Sequence, residues 1–118
     1  GGWRGWVNEG LPVSFDPPAL KQNAGFTPRI DRSLHVDLCE VKQGCSLPDV
    51  VNWDTRTSGE YDGTVNWRDQ RKGHISGAVH LEWSDLMEPT THRFKPPEVM
   101  RRILDGLGIT PNQAIFAY

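Results

Sequence analysis

The 118-residue chain is poor in cysteine and contains no long run of apolar residues. Its two cysteines, Cys39 and Cys45, do not have the spacing of a common zinc site. We therefore predict two reduced structural thiols rather than a metal or redox pair. A disulfide between them is the alternative if the protein is secreted.

Neither sign of charge is in large excess, because 13 Lys and Arg residues stand against 15 Asp and Glu residues. The chain therefore lacks the basic stripe of a general nucleic-acid binder, and we expect no nucleic-acid partner. No apolar run approaches the roughly 20 residues that cross a bilayer, and residues 1–10 do not have the pattern of a signal peptide. We accordingly expect no membrane partner and favour a cytoplasmic or organelle-matrix location.

The first 33 residues are predicted to hold one short helix followed by an extended linker. Apolar residues recur at helical spacing across residues 3–11, and Gly10 is placed to end that helix. A helix of about two turns is not stable alone in water, so its apolar face requires a partner. Residues 15–33 contain three prolines and scattered charges, which favours an extended segment.

From residue 34 onward, segments with the patterns of strands and helices alternate. Strands are predicted at His35–Leu38, Val50–Asp54, Ala78–Glu82 and residues 113–118. Helical segments are predicted at residues 58–61 and 83–87, and over a longer stretch that begins at Pro96–Pro97 and is ended by Gly108. This alternation predicts an α/β fold with a parallel sheet and right-handed crossovers.

Asp54 and Arg56 stand at the carboxyl end of a predicted strand, where open α/β sheets place their functional sites. Two charged residues at this spacing could pair with each other, begin a helix or hold a neighbouring loop. Gly73 and Gly77 permit a tight turn before the next strand, and His74 lies between them. A structural ion pair and a backbone-bonded structural histidine are the alternatives to a functional role.

Three short motifs, taken together, resemble the rhodanese (sulfurtransferase) family of the tandem-domain type. They are DTR at residues 54–56, EY at residues 60–61 and GHISGA at residues 73–78, where Ser76 replaces the proline usual in that family. The opening GGWRGWVNEGLPV is similar to the closing helix of a rhodanese domain. The resemblance covers nearly all of the chain and implies a rhodanese-like three-layer α/β/α fold with a parallel sheet. That fold would be incomplete here, without the catalytic loop and the last strand.

The resemblance also implies that the chain is divided between two domains. Residues 1–14 would be the C-terminal tail of a first rhodanese domain, residues 15–33 the interdomain linker and residues 34–118 the N-terminal part of a second domain. The remainder of both domains would then be a partner of this chain. Since a further strand would complete the family's five-stranded sheet, the isolated chain is expected to be unstable or to aggregate.

The activity implied by the resemblance is sulfur transfer through a cysteine persulfide. The nucleophilic cysteine is expected just after Tyr118, so the chain alone is predicted to contain no catalytic residue and to be inactive. The implied partners are a small-molecule sulfur donor, thiosulfate or 3-mercaptopyruvate, and a thiophilic acceptor, with no metal or organic cofactor. A non-catalytic rhodanese-like binding or regulatory module is the alternative, and a phosphatase of the related fold is a weaker one.

The residues expected to support the missing loop are Asp54, Arg56, Glu60 and His74. Glu60 falls where some tandem members carry a substrate-contacting arginine, and a carboxylate there would repel an anionic donor. This departure favours thiosulfate-type over mercaptopyruvate-type activity. A small basic group is expected to steer anionic donors toward the site, with a solvated loop as the alternative: Arg68, Arg71 and Lys72.

Overall fold

A computed structural model describes residues 2–19, 25–67 and 71–118. Three parallel strands form one sheet, in the order β2-β1-β3. Their bounds are Val50–Asp54 (β1), Val79–His80 (β2) and Ala114–Ala117 (β3). In the register, Trp53 of β1 lies between Val79 of β2 and Ala117 of β3. The predicted parallel α/β fold is confirmed.

Four α-helices and two short 3-10 helices connect or flank these strands in the described part of the chain. The α-helices are Gly2–Asn8 (α1), Leu38–Gly44 (α2), Ser58–Asp62 (α3) and Pro97–Gly106 (α4). The 3-10 helices are Arg32–Leu34 and Trp83–Leu86. The predicted ends of the first and last α-helices are confirmed: Gly10 (φ 65°) follows α1, and Gly108 (φ 77°) follows α4. Positive φ is the conformation that glycine adopts without steric cost.

The predicted strand at His35–Leu38 is wrong, because this segment leads into the helix α2. The Asp37 carboxylate accepts hydrogen bonds from the backbone N–H groups of Cys39 (2.7 Å) and Glu40 (2.9 Å). The Glu40 carboxylate in turn accepts one from the Asp37 N–H (2.7 Å). This reciprocal capping satisfies donors at the start of a helix, and it outweighs the short apolar alternation that suggested a strand.

The predicted strand at Ala78–Glu82 is present but shorter, since ladder pairing is limited to Val79 and His80. The chain beyond it still follows the end of β1. Leu81 donates its N–H to the Asp54 carbonyl (3.1 Å), and Trp83 donates its N–H to the Thr55 carbonyl (3.1 Å). These bonds hold the Trp83–Leu86 turn against the carboxyl end of the sheet.

Helices pack on both faces of the sheet, which gives three layers. On one face, α2 approaches so closely that a Cβ added to Gly44 would lie 2.6 Å from the Phe116 ring and 3.0 Å from Val50. On the other face, α4 and the sheet enclose an apolar cleft of about 400 Å³. Trp53 and Ile115 line this cleft from the strands, since successive side chains of a strand point to opposite faces.

The cysteines and the linker lie outside this core. Cys39 and Cys45 are free thiols in exposed positions, and Cys45 Sγ lies 3.3 Å from the Asn52 side-chain amide nitrogen. Residues 25–30 are exposed and form neither helix nor strand, as an extended linker would. The rest of the predicted linker is partly outside the described residues, at residues 20–24.

Candidate functional site

Asp54 and Arg56 form a bidentate ion pair at the carboxyl end of β1. Arg56 Nε donates to one Asp54 carboxylate oxygen (3.0 Å) and an Arg56 terminal nitrogen donates to the other (2.6 Å). The Arg56 backbone N–H also donates to this carboxylate (3.0 Å). Asp54 is completely buried, whereas about a quarter of the Arg56 side chain is exposed (27%). The predicted pairing is therefore present, with one partner inside the protein and the other at its surface.

The electrostatics of this pair keep both partners ionised. Burial is the largest single influence on the Asp54 carboxyl and opposes its ionisation, but the hydrogen bonds and charge of Arg56 outweigh it. The pKa of Asp54 consequently lies below its ordinary value. The same hydrogen bond to Asp54 raises the pKa of Arg56. A buried carboxylate that stays charged requires such a partner.

Arg56 also reaches the turn that precedes β2. Its terminal nitrogen donates to the Gly73 carbonyl (3.0 Å), and its guanidinium lies 5.2 Å from the centre of the Tyr118 ring. A cation at this distance over an aromatic face is attracted by the ring. Arg56 therefore links the end of β1, the 73–77 turn and the residue that follows β3.

Tyr118 was not predicted as a site residue, although it lies at the centre of these contacts. Its hydroxyl accepts a hydrogen bond from the Ile75 N–H (3.0 Å). Burial, together with the nearby Asp54 charge, raises the pKa of Tyr118, so the phenol stays protonated. The signal that could have identified it is the parallel register, which brings the carboxyl ends of β1 and β3 to one edge.

Glu60 caps α3, the helix that follows Arg56. Its carboxylate accepts hydrogen bonds from the Thr57 hydroxyl (2.7 Å) and the Thr57 N–H (3.2 Å). These bonds lower the pKa of Glu60, the side-chain bond being the largest cause. Glu60, which the family resemblance assigns to support of the loop, thus also has a local structural role as the cap of α3.

His74 is hydrogen-bonded to the backbone, which agrees with the alternative of a structural histidine. Its Nδ1 lies 2.7 Å from the Tyr61 carbonyl, which is an acceptor, so Nδ1 carries the proton. The imidazole also stacks on the Tyr61 ring, with centroids 3.7 Å apart. His80 stacks on the same ring at 4.5 Å, and its Nε2 lies 2.9 Å from the Arg56 carbonyl. His80, which was not a predicted site residue, therefore contacts the Arg56 backbone, and the Tyr61 ring stacks on His80 and on His74.

The three basic residues predicted to steer donors are only partly within the described structure. Arg68 lies outside the described residues. Arg71 and Lys72 are exposed and directly precede Gly73, whose carbonyl binds Arg56. This places two positive charges beside the turn that contributes to the site.

Two other kinds of site, a metal centre and a membrane-spanning helix, are absent from residues 2–19, 25–67 and 71–118. Within these ranges no three His, Cys, Asp or Glu side chains are grouped as metal ligands. No helix in the same ranges has the length and apolar character to cross a membrane.

No family model matches the chain, but individual proteins do. A thiosulfate sulfurtransferase of Azotobacter vinelandii is 31% identical over 122 residues, which cover 100% of this chain and 42% of that protein. The sulfur carrier protein TtuD of Thermus thermophilus is 29% identical over 132 residues, covering 100% of this chain and 45% of that protein. The chain thus spans less than half the length of these curated relatives.

Over its whole length the chain is therefore similar to proteins of the rhodanese (sulfurtransferase) family. A solved structure shows the same fold: a variant of EanB with a cysteine persulfide and ergothioneine has a TM-score of 0.82 at 23% identity, over 99% of this chain and 30% of that one. The parallel sheet with its flanking helices is therefore the fold of that structure.

Proposed function

We propose that this chain is part of a sulfurtransferase that moves sulfane sulfur from thiosulfate to a thiophilic acceptor. The observation that carries the proposal is the meeting of Asp54, Arg56 and Tyr118 at one sheet edge. In open α/β folds, that edge is where ligands bind. The named functions of the curated relatives support sulfur transfer as the general chemistry.

The proposed reaction has two displacement steps on a cysteine that follows Tyr118. The thiolate attacks the outer sulfur of thiosulfate, the sulfur–sulfur bond of the donor breaks, and sulfite leaves with the bonding electron pair. The enzyme then carries a cysteine persulfide. An acceptor such as cyanide attacks the terminal sulfur, thiocyanate leaves, and the thiolate is restored without an external oxidant or reductant.

Backbone N–H groups of the loop that carries this cysteine would bind the donor anion and stabilise the thiolate. The positively charged side chains of the described residues would have a secondary role in donor binding. Arg56 is already held by the Asp54 carboxylate and the Gly73 carbonyl, so it acts mainly on the frame of the site. Arg71 and Lys72 would contribute long-range attraction for the anion.

Glu60 supports thiosulfate over 3-mercaptopyruvate as the donor. The Thr57 hydrogen bonds hold the Glu60 carboxylate in its ionised form on the first turn of α3. Some tandem members carry a substrate-contacting arginine at this position, which could pair with a carboxylate. Glu60 cannot supply that contact to the carboxylate that distinguishes 3-mercaptopyruvate. The acceptor is proposed only as a thiophile.

We also propose that the chain is divided between two rhodanese domains. Residues 1–14 are assigned to the end of a first rhodanese domain, residues 15–33 to a linker and residues 34–118 to the first part of a second domain. Relatives more than twice as long as this chain support that arrangement. The partner of the chain would then be the remainder of its own two domains.

The test is a thiosulfate:cyanide sulfurtransferase assay on the complete product of the gene that encodes this chain. Thiocyanate formation should be lost when the cysteine next to Tyr118 is replaced by serine. The matched control replaces Cys39 and Cys45 by serine, and it should retain activity because both thiols are exposed and precede β1 in the chain. Residues 1–118 alone should form no thiocyanate.

Three results would contradict the proposal. Absence of a cysteine after Tyr118, with no transfer by the complete product, would favour the non-catalytic module. Transfer that depends on Cys39 or Cys45 would place the nucleophile elsewhere. Turnover by residues 1–118 alone would refute the predicted inactivity of the chain.

A further inference from the structure

We infer that Tyr118 is a positioning residue for the proposed sulfur transfer: its backbone and its hydroxyl fix the direction in which the chain leaves β3. The inference rests on the proposed function, because it concerns how the nucleophile would be placed. Tyr118 is not proposed to touch the donor. It acts by joining three segments that border the site.

The backbone of Tyr118 is bound at both of its polar groups. Its N–H donates to the Trp53 carbonyl (3.1 Å). Its carbonyl accepts from the Thr55 N–H (2.9 Å) and from the Thr55 hydroxyl (2.7 Å). The hydroxyl bond is additional to the sheet ladder, so the chain is held beyond the last ladder pair of β3.

The side chain of Tyr118 binds a different part of the molecule. Its hydroxyl accepts from the Ile75 N–H (3.0 Å) in the turn before β2, and its ring lies 5.2 Å from the Arg56 guanidinium. A phenol can accept one hydrogen bond and donate another. The interaction of Tyr118 with the Asp54 side chain is one of the influences that lower the pKa of that carboxyl.

These contacts make the exit from β3 rigid relative to both other segments. A group that follows Tyr118 directly would start from a frame fixed by β1 through Thr55 and by the 73–77 turn through Ile75. Displacement of a reacting group by about 1 Å costs as much as a hundredfold in rate. Loss of the hydroxyl should therefore affect the reacting thiol more than the stability of the fold.

The experiment replaces Tyr118 by Phe in the complete gene product and measures thiosulfate:cyanide transfer across pH. The variant keeps the ring over Arg56 but removes the acceptor for Ile75. We expect kcat to fall about tenfold, the size of one lost hydrogen bond, with the KM for thiosulfate unchanged within about twofold. The apparent pKa of the thiol in the kcat/KM profile should rise, because the displaced thiolate loses part of its stabilisation.

A second readout does not depend on activity. Hydrogen exchange of the Ile75 amide should accelerate at least about tenfold in Tyr118→Phe, since that N–H loses its acceptor. The matched control is Ser84→Ala, which removes an exposed hydroxyl bound to the Glu82 carboxylate (2.6 Å). The control should leave the kcat, the pH profile and the Ile75 exchange rate unchanged.

Each alternative outcome has a defined meaning. Unchanged kcat and unchanged Ile75 exchange would overturn the inference. A fall in activity that is matched by a fall in melting temperature, with the pH profile unmoved, would also overturn it, because it would show a purely structural role. If the unaltered protein transfers no sulfur, the proposed function fails, and the anchoring role is then decided by Ile75 exchange alone.

Discussion

At the scale of single residues, the decisive feature is a fully buried carboxylate whose partner is about a quarter exposed. Asp54 has no exposed surface, whereas Arg56 keeps 27% of its side chain exposed. Three hydrogen bonds from Arg56 hold the Asp54 carboxylate in place. Removing one charge of such a pair leaves the other without compensation, which is more costly than never having buried the pair.

We expect Asp54→Asn to lower the free energy of unfolding of the complete gene product by about 2 kcal/mol at pH 7, since Arg56 can still be partly hydrated. The pKa of Asp54 is lowered in the folded state, so its ionised form adds stability that is fully present above the ordinary value of 3.8. That stability is lost as pH falls through the lowered folded value. The difference between variant and unaltered protein should therefore shrink below pH 3.8.

Urea unfolding at a series of pH values between neutral and acid measures this difference directly. Asp49→Asn is the matched control, because Asp49 lies just before β1 with its side chain exposed. The control should change stability by less than about 0.5 kcal/mol at every pH. A variant difference for Asp54 that stays constant down to pH 3 would contradict the assignment.

The same residues show which parts of the site could be predicted. Asp54 and Arg56 were predictable because charged residues directly after an apolar strand lie at the functional edge of a parallel sheet. Tyr61, His80 and Tyr118 were not, because their contacts depend on which segments the register brings together. The support of the loop by Glu60 stays a prediction, and its capping hydrogen bonds to Thr57 were not predicted.

At the scale of elements, the strands with unambiguous patterns were predictable and the segment near residue 35 was not. Val50–Asp54 is a mainly apolar segment, interrupted by Asn52, that ends in a charged residue, and the structure has the same bounds. The segment around Asp37 carries both a short alternation and a capping pair with Glu40. Four residues of alternation are weak evidence, whereas a capping box satisfies specific backbone donors.

The close approach of α2 to the sheet gives a prediction at this scale. Gly44→Ala should lower the free energy of unfolding of the complete gene product by about 2 kcal/mol, because the new methyl group would overlap the Phe116 ring and press on Val50. Gly106→Ala is the matched control in α4, where an added Cβ meets nothing within 4 Å. The control should be neutral or stabilising by up to about 1 kcal/mol.

Equilibrium urea unfolding of both variants measures whether the loss of stability is specific to Gly44. Equal stability of the Gly44 and Gly106 variants would show that α2 does not pack on the sheet as described. A loss confined to the Gly44 variant would support the packing that connects α2 with both β1 and β3.

At the scale of the whole molecule, the 118 residues expose more surface than a compact domain of the same mass. Their accessible surface is 10007 Å², whereas a compact protein of 13.3 kDa exposes about 6,500 Å². Their radius of gyration is 18.6 Å against about 13.5 Å for a compact domain of this length. Only five apolar side chains of the described residues are buried, namely Val51, Ala78, Leu81, Leu86 and Ile109.

Much of the excess surface is apolar and belongs to residues that a packed protein would cover. Phe15 is 99% exposed, Phe26 86% and Trp67 76%. Among residues 2–19, 25–67 and 71–118, β2 and β3 each pair on one side only, and such open edges favour association between chains. Apolar surface of this extent opposes solubility as well as stability.

We therefore expect residues 1–118, expressed alone, to show no cooperative thermal transition and to associate into large species. Each Å² of buried apolar surface stabilises a fold by about 25 cal/mol, and this gain offsets the loss of chain entropy on folding. Five buried apolar side chains supply little of that stabilisation. Calorimetry and sedimentation measure the two consequences, with the complete gene product as the control that should unfold cooperatively. A monomeric chain with a sharp transition, and equal calorimetric and van't Hoff enthalpies, would contradict the prediction, because it would show that β1 and its two neighbours form a sufficient core.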